Sequence, residues 1–448
     1  MRHKELELSG WNNFPRSTCR MVRPERYADL THVQGRSQIA LGMGRSYGDA
    51  ALNSDGQVIQ MTRMNRMLEF DAASGILRAE AGVTLDEIIQ TFLPRGWFVS
   101  ITPGTRFVTL GGCIANDVHG KNHHAHGSFS SSILSFTLIK ANGEVEICSP
   151  KHSPKLFWAT VGGLGLTGII AEVTIQLRRV ESAYLHVEHE PADDLEELLE
   201  LMAEEDQEYS VAWIDCLAKG GRRGRGVYMQ GRHLNEDELS PKHRQRPLSP
   251  SLPKARTFPF YLPRGLLNRF SVQAFNAWYY KHEGRKGSFA SDHQRYFYPL
   301  DSIQHWNRMY GRRGFIQYQC VLPLESSSDG LNLLLDTLQR KGQASFLAVL
   351  KRMGPGNQGH LSFPMEGYTL AVDIPISGKR AQDLSRELNA VTLDHEGHVY
   401  LAKDALLDPQ TFREMYSCFD QWRTIKESVD PDWVFQSALS QRLEMRHG

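Results

Sequence analysis

The sequence predicts an α+β protein, in which short strands and hairpins alternate with occasional helices. Asn142 and Gly143, the strongest short hairpin signal in the chain, lie between two apolar runs. Residues 163–168 read GLGLTG and match the dinucleotide fingerprint. The β-branched, alternating residues 169–177 nevertheless predict a strand where that fingerprint needs a helix. Beyond about residue 180, the order strand, helix, strand, strand, helix predicts an antiparallel sheet with helices on one face.

Length and composition limit the possible classes of protein. A chain of 448 residues, with 41% hydrophobic and 23% charged residues, is typical of a soluble protein of two or three domains. A formal net charge of zero gives no overall field for nucleic acid, so we expect no nucleic-acid partner. Six scattered cysteines without a CxxC pair favour reduced thiols. Without a signal peptide or a run of about 20 apolar residues, we expect a cytoplasmic protein that meets a membrane only at its surface.

Apolar periodicity and capping residues predict the other elements. Residues 84–93 are expected to form a helix with Thr84 as N-cap and Glu87 in the capping-box position. An acidic amphipathic helix is expected at 191–208, and others at 330–341, 378–393 and 409–422. The predicted strands are 38–41, 58–61, the two arms of a hairpin over 68–80, 97–101, 133–140, 145–148, 210–216, 226–230, 315–322, 345–351, 368–375 and 399–402.

Two segments rich in glycine are the candidate binding elements. Residues 42–49 read GMGRSYGD after a short strand, and their amides could cradle phosphates without a following helix; a plain tight turn is the alternative. Residues 102–127 combine glycines with a small-residue wall at 113–115, followed by His119 and Lys121. A loop this dense in glycine and ionisable groups is costly to order unless something binds to it, although a structural turn with solvated histidines is again the alternative.

Residues 219–269 form a basic segment. About a dozen lysines and arginines stand there against three acidic residues at 236–238, and prolines interrupt the segment repeatedly. The sequence predicts a mobile pair of loops with an apolar insert at 258–262. Clustered cations beside aromatic residues favour anionic headgroups, so we expect peripheral contact with a membrane through this segment; a solvated loop is the alternative.

Three blocks together resemble one family. These are GMGRSYGDAALN, then PGTRFVTLGGCIANDVHGKNHH with LFWATVGGLGLTGII, and finally GPGNQGHLSFP followed by YLAKD. They resemble the FAD-dependent oxidoreductases of the vanillyl-alcohol-oxidase (PCMH-type) superfamily over nearly the whole chain. The resemblance implies an FAD-binding domain of two α+β subdomains at 1–180, which residues 398–448 rejoin. A substrate domain of antiparallel sheet and helices would be inserted at 181–397.

The resemblance also implies the cofactor site. Many members of the superfamily link FAD to a histidine of the first glycine loop; Arg45 stands there in this chain, which implies non-covalent FAD. Residues expected to wrap the pyrophosphate are Gly42, Met43, Gly44, Arg45, Ser46, Tyr47, Gly48 and Asp49. Residues expected to line the flavin with backbone amides, or to complete its pocket, are Gly104, Thr109, Leu110, Gly111, Gly112, Asn116, Asp117, Val118, His119, Ile170 and Tyr400.

The implied reaction oxidises a secondary sugar hydroxyl to a ketone, with hydride transfer to flavin N5. It needs a proton acceptor and a positive charge near the N1–C2 edge of the flavin. Lys403, predicted at a strand end, is the first candidate for either role. Tyr47, His119 and Lys121 are the next candidates to hold or deprotonate the substrate. Lys351 and Lys403 could also be ordinary lysines at strand ends. Expected substrate-binding residues are Gln319, Lys351 and Ala371.

The implied substrate is a polyprenyl-phosphate-linked pentose, oxidised in the first half of an epimerisation during synthesis of cell-envelope glycan precursors. A short-chain NAD(P)H reductase is the implied partner. The alternative within flavoenzymes is oxidation of a small alditol or aldonolactone, as in the D-arabinono-1,4-lactone oxidases. One departure affects pocket shape: oxidases of the family that act on arabinan precursors have a cysteine facing the flavin where this chain has Ala371.

Two readings outside flavin chemistry stay open at this point. Four histidines within eight residues could form a zinc hydrolase site, but Asp117 is the only nearby carboxylate and no helical His-x3-His scaffold is present, so we expect no metal. The four are His119, His123, His124 and His126. A binding protein for polyprenyl phosphates would keep the basic segment and lack redox activity.

Overall fold

The computed structural model describes residues 3–31, 37–204, 207–251, 255–263, 266, 268–342, 345 and 347–446. The chain begins with a four-stranded sheet in the order β1-β2-β4-β3, in which β4 runs parallel to both β2 and β3. A turn without a helix connects β3 to β4, as predicted for residues 42–56. The elements are β1 (His3–Ser9), β2 (Arg16–Val22), α1 (Tyr27–Thr31), β3 (Gln38–Leu41) and β4 (Gln57–Gln60).

A second, six-stranded antiparallel sheet follows in the order β5-β6-β10-β8-β9, with β7 also paired to β10. The Thr84 capping box, both hairpins and the strand after GLGLTG are confirmed. The elements are β5 (Met67–Asp71), β6 (Ile76–Glu80), α2 (Leu85–Phe92), β7 (Trp97–Val99), α3 (Leu110–Ala115), α4 (His123–His126), β8 (Ile133–Ile139), β9 (Val145–Cys148), α5 (Pro154–Thr160) and β10 (Ile169–Arg179).

The third sheet has eight strands in the order β15-β11-β13-β12-β18-β19-β17-β20, all antiparallel. Helices α6, α10 and α11 pack together on one face, as predicted. The elements are β11 (Tyr184–Ala192), α6 (Leu195–Ala203), β12 (Tyr209–Ile214), β13 (Gly226–His233), α7 (Pro241–Arg244), β14 (Arg256–Thr257), α8 (Arg269–Glu283), β15 (Gly287–Asp292), α9 (His293–Phe297), β16 (Ile303–Gln304), β17 (Phe315–Pro323), α10 (Leu324–Arg340), β18 (Ala348–Met353), β19 (Gly367–Pro375), α11 (Lys379–Asp394) and β20 (His398–Val399).

Side chains alternate between the two faces of this sheet. In β17, Ile316, Tyr318 and Cys320 join the core beneath the helices, whereas Gln317 and Gln319 point to the opposite face. The same period places odd-numbered residues of β18 and β19 beside these glutamines, because the strands pair in register. One buried face of the sheet therefore carries polar side chains.

The C-terminal residues return to the first two sheets. Gln38 donates its backbone N–H to the Val434 carbonyl at 2.7 Å, and the Trp422 indole donates to the Ala159 carbonyl at 2.9 Å. The helices are α12 (Pro409–Met415), α13 (Phe419–Val429) and α14 (Ala438–Arg442). The predicted helical tail is thus confirmed, although it contains a break and extends further. The domain limits 1–180, 181–397 and 398–448 stay a prediction.

The small-residue wall expected at 113–115 belongs to α3, because the Thr109 hydroxyl accepts the Gly112 N–H at 3.2 Å and caps a helix there. Two other local expectations are wrong. Residues 191–192 belong to β11, and the acidic helix begins only after Asp194, whose side chain accepts the Glu197 N–H. Residues 205–206, at the predicted end of that helix, and residue 346 of a predicted strand lie outside the described residues.

The second wrong expectation concerns the strand 399–402. The strand ends at Val399, and after one more bond from the Tyr400 N–H to the Gln319 carbonyl the chain turns, because Lys403 donates its N–H to the Tyr400 carbonyl at 2.9 Å. Lys403 therefore lies in a turn and not at a strand end. In the part of the chain that the structure describes, no helix has the length and apolar character needed to cross a bilayer.

A buried ion pair between Lys426 and Asp430 gives a test of the C-terminal fold. Both side chains are fully buried, and Asp430 also accepts the backbone N–H groups of Val434 and Phe435 at 2.8 Å. Asp430→Ala should lower the free energy of unfolding by about 3–5 kcal/mol, because it leaves a buried ammonium without its partner. Asp432→Ala, at an exposed neighbouring aspartate, is the control and should change it by less than about 0.5 kcal/mol. Equal denaturation curves for the two variants would contradict this assignment.

Candidate active site

A cavity of about 1110 Å³ lies between the first glycine loop, α3, the polar face of the large sheet and α8. Its walls come from parts of the chain far apart in sequence. Twenty of the predicted site residues line it. They are Gly42, Met43, Gly44, Arg45, Ser46, Tyr47, Gly104, Thr109, Gly111, Gly112, Asn116, Val118, His119, Lys121, Ile170, Gln319, Lys351, Ala371, Tyr400 and Lys403.

Four predicted cofactor residues do not line the cavity, and each has another partner. Leu110 is fully buried in the core, and its N–H donates to the Val83 carbonyl. Gly48 closely approaches the Asp404 carbonyl in the turn after Lys403, and Asp49 is bound by Arg442, as described below. The prediction that Gly111 offers a free amide is also wrong, because that N–H donates to the Ala81 carbonyl at 2.9 Å.

Asp117 is the fourth of these residues. Its buried carboxylate accepts from the Asn357 amide at 2.6 Å, from the Ser130 N–H at 3.2 Å and from the Ser362 hydroxyl. Asn357 belongs to the GPGNQ block, so this cluster fastens that block to the loop that carries His119. Asp117 is thus a structural link between two motifs and does not touch the cavity.

The first glycine loop is shaped to hold a ligand at its backbone. Among the described contacts, the N–H groups of Met43, Gly44 and Arg45 donate to no protein acceptor. A Cβ on Gly42 would lie 2.3 Å from the Thr109 hydroxyl oxygen, so only glycine lets the loop approach α3 this closely. Unpaired amides at a cavity wall suit a phosphate group.

Arg45 extends from this loop across Trp11, with its guanidinium carbon 4.0 Å from the ring centroid. Burial lowers the pKa of Arg45, while Asp301 opposes the shift. The arginine therefore occupies the loop position expected for a linking histidine, and its side chain is held by an aromatic surface.

Three lysines meet at the polar end of the cavity. Burial lowers the pKa of Lys403 to about 8, and the carboxylate of Asp373 acts in the opposite direction. Burial, followed by the charges of Lys403 and Lys121, lowers the pKa of Lys351 to about 7. Burial alone lowers the pKa of Lys121 to about 7, and its ammonium donates to the Tyr296 carbonyl. At neutral pH, this end of the cavity can therefore hold both a cation and a proton acceptor.

A hydrogen-bond chain fixes the tautomer of His119. The Thr369 hydroxyl donates to the Cys320 carbonyl at 2.8 Å, so it must accept from the Gln319 amide nitrogen at 3.0 Å. The second hydrogen of that amide points to His119 Nε2 at 3.1 Å. Burial and then the nearby Lys351 hold the pKa of His119 well below its usual value, so the neutral ring carries its proton on Nδ1.

This hydrogen-bond chain leaves two polar atoms available to a ligand. His119 Nδ1 and Gln319 Oε1 are buried and have no partner among the described residues. One is a donor and the other an acceptor, and both side chains line the cavity. His119 is therefore suited to donate a hydrogen bond and not to act as the base.

Tyr47 packs edge-on against Phe315, with ring centroids 5.6 Å apart, and the Lys403 ammonium lies 5.6 Å from its ring. Burial and then Asp373 raise the pKa of Tyr47 well above its usual value, so its phenol stays neutral. Ala371 pairs with Gln319 across β19 and β17. Its small side chain leaves room in the cavity beside that amide.

Asp373, which is absent from the predicted set, is a buried carboxyl behind the cavity wall that holds the lining residue Gln317. It is buried and accepts from Tyr310 Oη at 2.9 Å and from the Gln317 amide at 2.6 Å. Burial raises the pKa of Asp373 to about 7, against the effects of Gln317, Tyr310 and Lys403. The signal was available in the sequence, since Asp373 stands two residues after Ala371 in the same strand.

The clustered histidines do not converge on a metal. The His123 ring accepts the Gly354 N–H at 3.1 Å, and His124 Nε2 lies 3.1 Å from the Gln207 carbonyl. His126 is paired with Glu208 at 3.2 Å. Within the described ranges, no group of three His, Cys, Asp or Glu side chains is placed to bind a metal ion.

Comparison with known proteins agrees with this geometry. A family model described as an FAD binding domain matches residues 26–149. A decaprenylphosphoryl-beta-D-ribose oxidase of Mycolicibacterium smegmatis is 40% identical over 415 residues, which cover 92% of this chain and 90% of the relative. An L-gulono-1,4-lactone dehydrogenase of Mycobacterium tuberculosis is 23% identical over 452 residues, which cover 97% and 98%. A D-arabinono-1,4-lactone oxidase of Eremothecium gossypii is 29% identical over 167 residues, which cover 36% and 30%.

The glycine loop, the cavity and the cationic sheet face together define a flavin-binding oxidoreductase. The chain belongs to the PCMH-type FAD-binding oxidoreductases of the vanillyl-alcohol-oxidase superfamily. The predicted fold class, enzyme class and cofactor are therefore confirmed. The residues fit FAD, because the free amides of the first loop and two unpartnered polar atoms face a single cavity of sufficient size.

We expect the bound FAD to be non-covalent, because Arg45 offers no imidazole for a covalent bond and is held against Trp11. Acid precipitation of the purified protein should leave the flavin absorbance and fluorescence in the supernatant, at close to one flavin per chain. A yellow pellet after washing would show a covalent bond and contradict this prediction.

Proposed function

We propose that this enzyme oxidises a secondary hydroxyl of a polyprenyl-phosphate-linked pentose to a ketone. The main support for this proposal is the polar face of the large sheet at one end of the cavity. There the unpartnered atoms of His119 and Gln319 lie near three lysines, which are Lys121, Lys351 and Lys403. The 40% identical relative is by its name an oxidase of a lipid-linked ribose, which supports this class of substrate. Oxidation of a small soluble lactone has weaker support. The L-gulono-1,4-lactone dehydrogenase is only 23% identical, and the D-arabinono-1,4-lactone oxidase matches only 36% of the chain.

The cofactor would be held by backbone groups at one end of the cavity. The amides of Met43, Gly44 and Arg45 suit its pyrophosphate, and Gly104, Gly112 and the other small lining residues suit its flat ring. When bound, FAD supplies the acceptor for the hydride that leaves the carbinol carbon. All other steps fall to side chains of the chain itself.

Lys403 would supply positive charge. With a pKa of about 8, its ammonium is mostly protonated at neutral pH. The buried carboxyl of Asp373 favours that protonated form, because the opposite charge is nearby in a medium of low polarity. A fixed cation at this position would stabilise negative charge that develops during the reaction.

Lys351 would accept the hydroxyl proton. Its pKa of about 7 leaves a substantial neutral fraction at neutral pH, and its ammonium is only weakly held, at 3.5 Å from the Gly120 carbonyl. Lys121 has a similar pKa but donates to the Tyr296 carbonyl and lies 3.9 Å from the Tyr296 ring centroid. Lys121 is therefore better suited to hold the substrate than to take its proton.

His119 and Gln319 would orient the sugar. The Nδ1–H of His119 can donate to one sugar oxygen, while Gln319 Oε1 can accept from a neighbouring hydroxyl. Because Thr369 and the Cys320 carbonyl fix the Gln319 amide, which in turn fixes the His119 ring, the donor and acceptor are ordered before the substrate binds. Tyr47, with a neutral phenol, would add a further donor.

The ketone product requires a separate hydride donor if the centre is to be inverted. We infer a short-chain NAD(P)H reductase as the partner that completes such an epimerisation. A lipid-linked substrate also places the reaction at a membrane, so the enzyme would act as a peripheral protein on its inner face.

The substrate class is tested by anaerobic mixing of the holoenzyme with a short-chain prenylphosphoryl ribose. We expect the flavin absorbance to bleach within seconds, and mass spectrometry should show a product lighter by two hydrogens. L-gulono-1,4-lactone at the same concentration is the comparison and should bleach the flavin far more slowly. Faster bleaching by the lactone would reverse the assignment in favour of a small soluble substrate.

Lys403→Ala should keep FAD but raise the barrier to flavin reduction by about 3–5 kcal/mol, as expected when a transition-state charge is removed. Lys403→Arg retains the charge and should recover part of the rate. Stopped-flow reduction of both variants, with the exposed Lys379→Ala as control, measures the effect. Reduction of Lys403→Ala at the wild-type rate would make Lys403 structural.

The pH dependence of flavin reduction separates the two lysine roles. The wild-type rate should rise as pH increases through about 7, because Lys351 must be neutral to accept a proton, and fall through about 8, because Lys403 must be charged. In Lys403→Arg the fall near pH 8 should disappear. A wild-type rate that keeps rising above pH 9 would exclude the proposed role of the Lys403 charge.

A further inference from the structure

Exposed apolar side chains are concentrated in one stretch of the chain. Of eleven large hydrophobic residues that are strongly exposed in the described part of the chain, six fall between residues 260 and 303. They are Phe260, Leu266, Phe270, Phe275, Trp278 and Ile303. A cluster of this kind on a folded protein marks a surface that meets something apolar.

Helix α8 packs one face against the protein and exposes aromatic side chains on the other. Its inner face buries Val272 and Asn276, and the Asn276 amide donates to Asp215 at 2.7 Å. Its outer face carries Phe270, which is 80% exposed, and Trp278, which is 57% exposed. The side chain that faces solvent is thus aromatic where a surface helix normally has polar residues.

Cations lie at the end of the same face. Lys281 and Arg285 are exposed, and neither forms an ion pair with a described residue. The one acidic residue of α8, Glu283, is buried and bound to Lys286 and His189. The outer face therefore combines aromatic rings with positive charge, which matches an anionic, partly apolar surface.

This surface is continuous with the active-site cavity. Leu266, Phe275 and Ile303 are exposed and also line the cavity, so its mouth opens among them. A chain of hydrocarbon leaving the cavity would pass directly between these side chains. The position of the surface is therefore linked to the path of a lipid-linked substrate.

Three arginines of the predicted basic segment are engaged within the protein. Arg223 contacts Asp336 at 3.4 Å and Arg225 contacts Asp215 at 2.9 Å. Arg244 donates to backbone carbonyls, including that of Asp237 at 2.7 Å. Membrane contact through the first part of residues 219–269 is thus not supported by these charges. Residues 252–254, 264–265 and 267 lie outside the described part of the chain.

We propose that the outer face of α8, with Phe270, Trp278 and Lys281, docks together with Arg285 just beyond the helix end on an anionic lipid bilayer and holds the cavity mouth against it. This inference rests on the proposed function, because a lipid-linked substrate is what makes the position of the mouth useful. The aromatic rings insert among the headgroups, and the two cations contact anionic lipid.

Flotation with vesicles tests the surface directly and needs no substrate. Full-length holoenzyme is mixed with phosphatidylglycerol-containing vesicles or with pure phosphatidylcholine vesicles, at low and high salt. The wild type should float with the anionic vesicles, and less at high salt. Phe270→Gln with Trp278→Gln should weaken binding about tenfold or more, because two apolar side chains no longer insert.

The matched control is Leu134→Gln with Ile147→Gln, at two exposed apolar residues on β8 and β9, 42% and 59% exposed, that do not line the cavity. It should float like the wild type, and so should Arg223→Gln with Arg244→Gln. Lys281→Gln with Arg285→Gln should lose the salt dependence. Equal binding by the Phe270/Trp278 variant and the wild type would overturn the proposal.

The outcome is separable from the test of the substrate. Phe270 and Trp278 do not line the cavity, so their variant should reduce its flavin at the wild-type rate with a water-soluble prenylphosphoryl ribose. Flotation that depends on α8, without reduction by that substrate, would leave docking intact and refute the proposed function. A wild-type enzyme whose flavin is reduced by this substrate but that does not float with anionic vesicles would overturn docking. The outer face of α8 would then be assigned to a protein partner.

Discussion

Arg442 joins the two loops on which the cavity depends. Its guanidinium bonds both carboxylate oxygens of Asp49, at 2.8 and 2.9 Å, and one oxygen of Asp404 at 2.9 Å. Asp49 ends the first glycine loop and Asp404 follows Lys403, so one residue near the C-terminus fixes the first glycine loop relative to the turn that carries Lys403. Gly48 allows the close approach, because a Cβ there would lie 1.9 Å from the Asp404 carbonyl oxygen.

Local patterns were sufficient for several elements of the second sheet and its helix. The Thr84 capping box, the Asn142 hairpin and the strand after GLGLTG follow from short-range geometry and are found in the structure. Strand alternation is equally local, and it places Gln319 and Ala371 on one face. The same alternation places Asp373 on this face beside Gln317, although no motif marks it.

Contacts between distant segments could not be predicted from one sequence. Asp117 stands in a glycine-rich motif, yet its carboxylate is bound by Asn357, 240 residues further along the chain. Asp215, the partner of Arg225, lies just after β12, and the partner of Arg223 lies in α10, more than a hundred residues away. Whether a charged side chain is paired depends on such contacts. For this reason, the proposed membrane contact involves α8 and not these arginines.

Arg442→Met tests whether Arg442 couples cofactor binding to catalysis. FAD affinity and the rate of anaerobic flavin reduction should both be measured in the variant, with circular dichroism to show that it is folded. We predict about tenfold weaker FAD binding together with slower reduction of the flavin that remains bound, because the glycine loop and the Lys403 turn are no longer fixed to each other. A folded variant with wild-type FAD affinity and wild-type reduction would contradict the account.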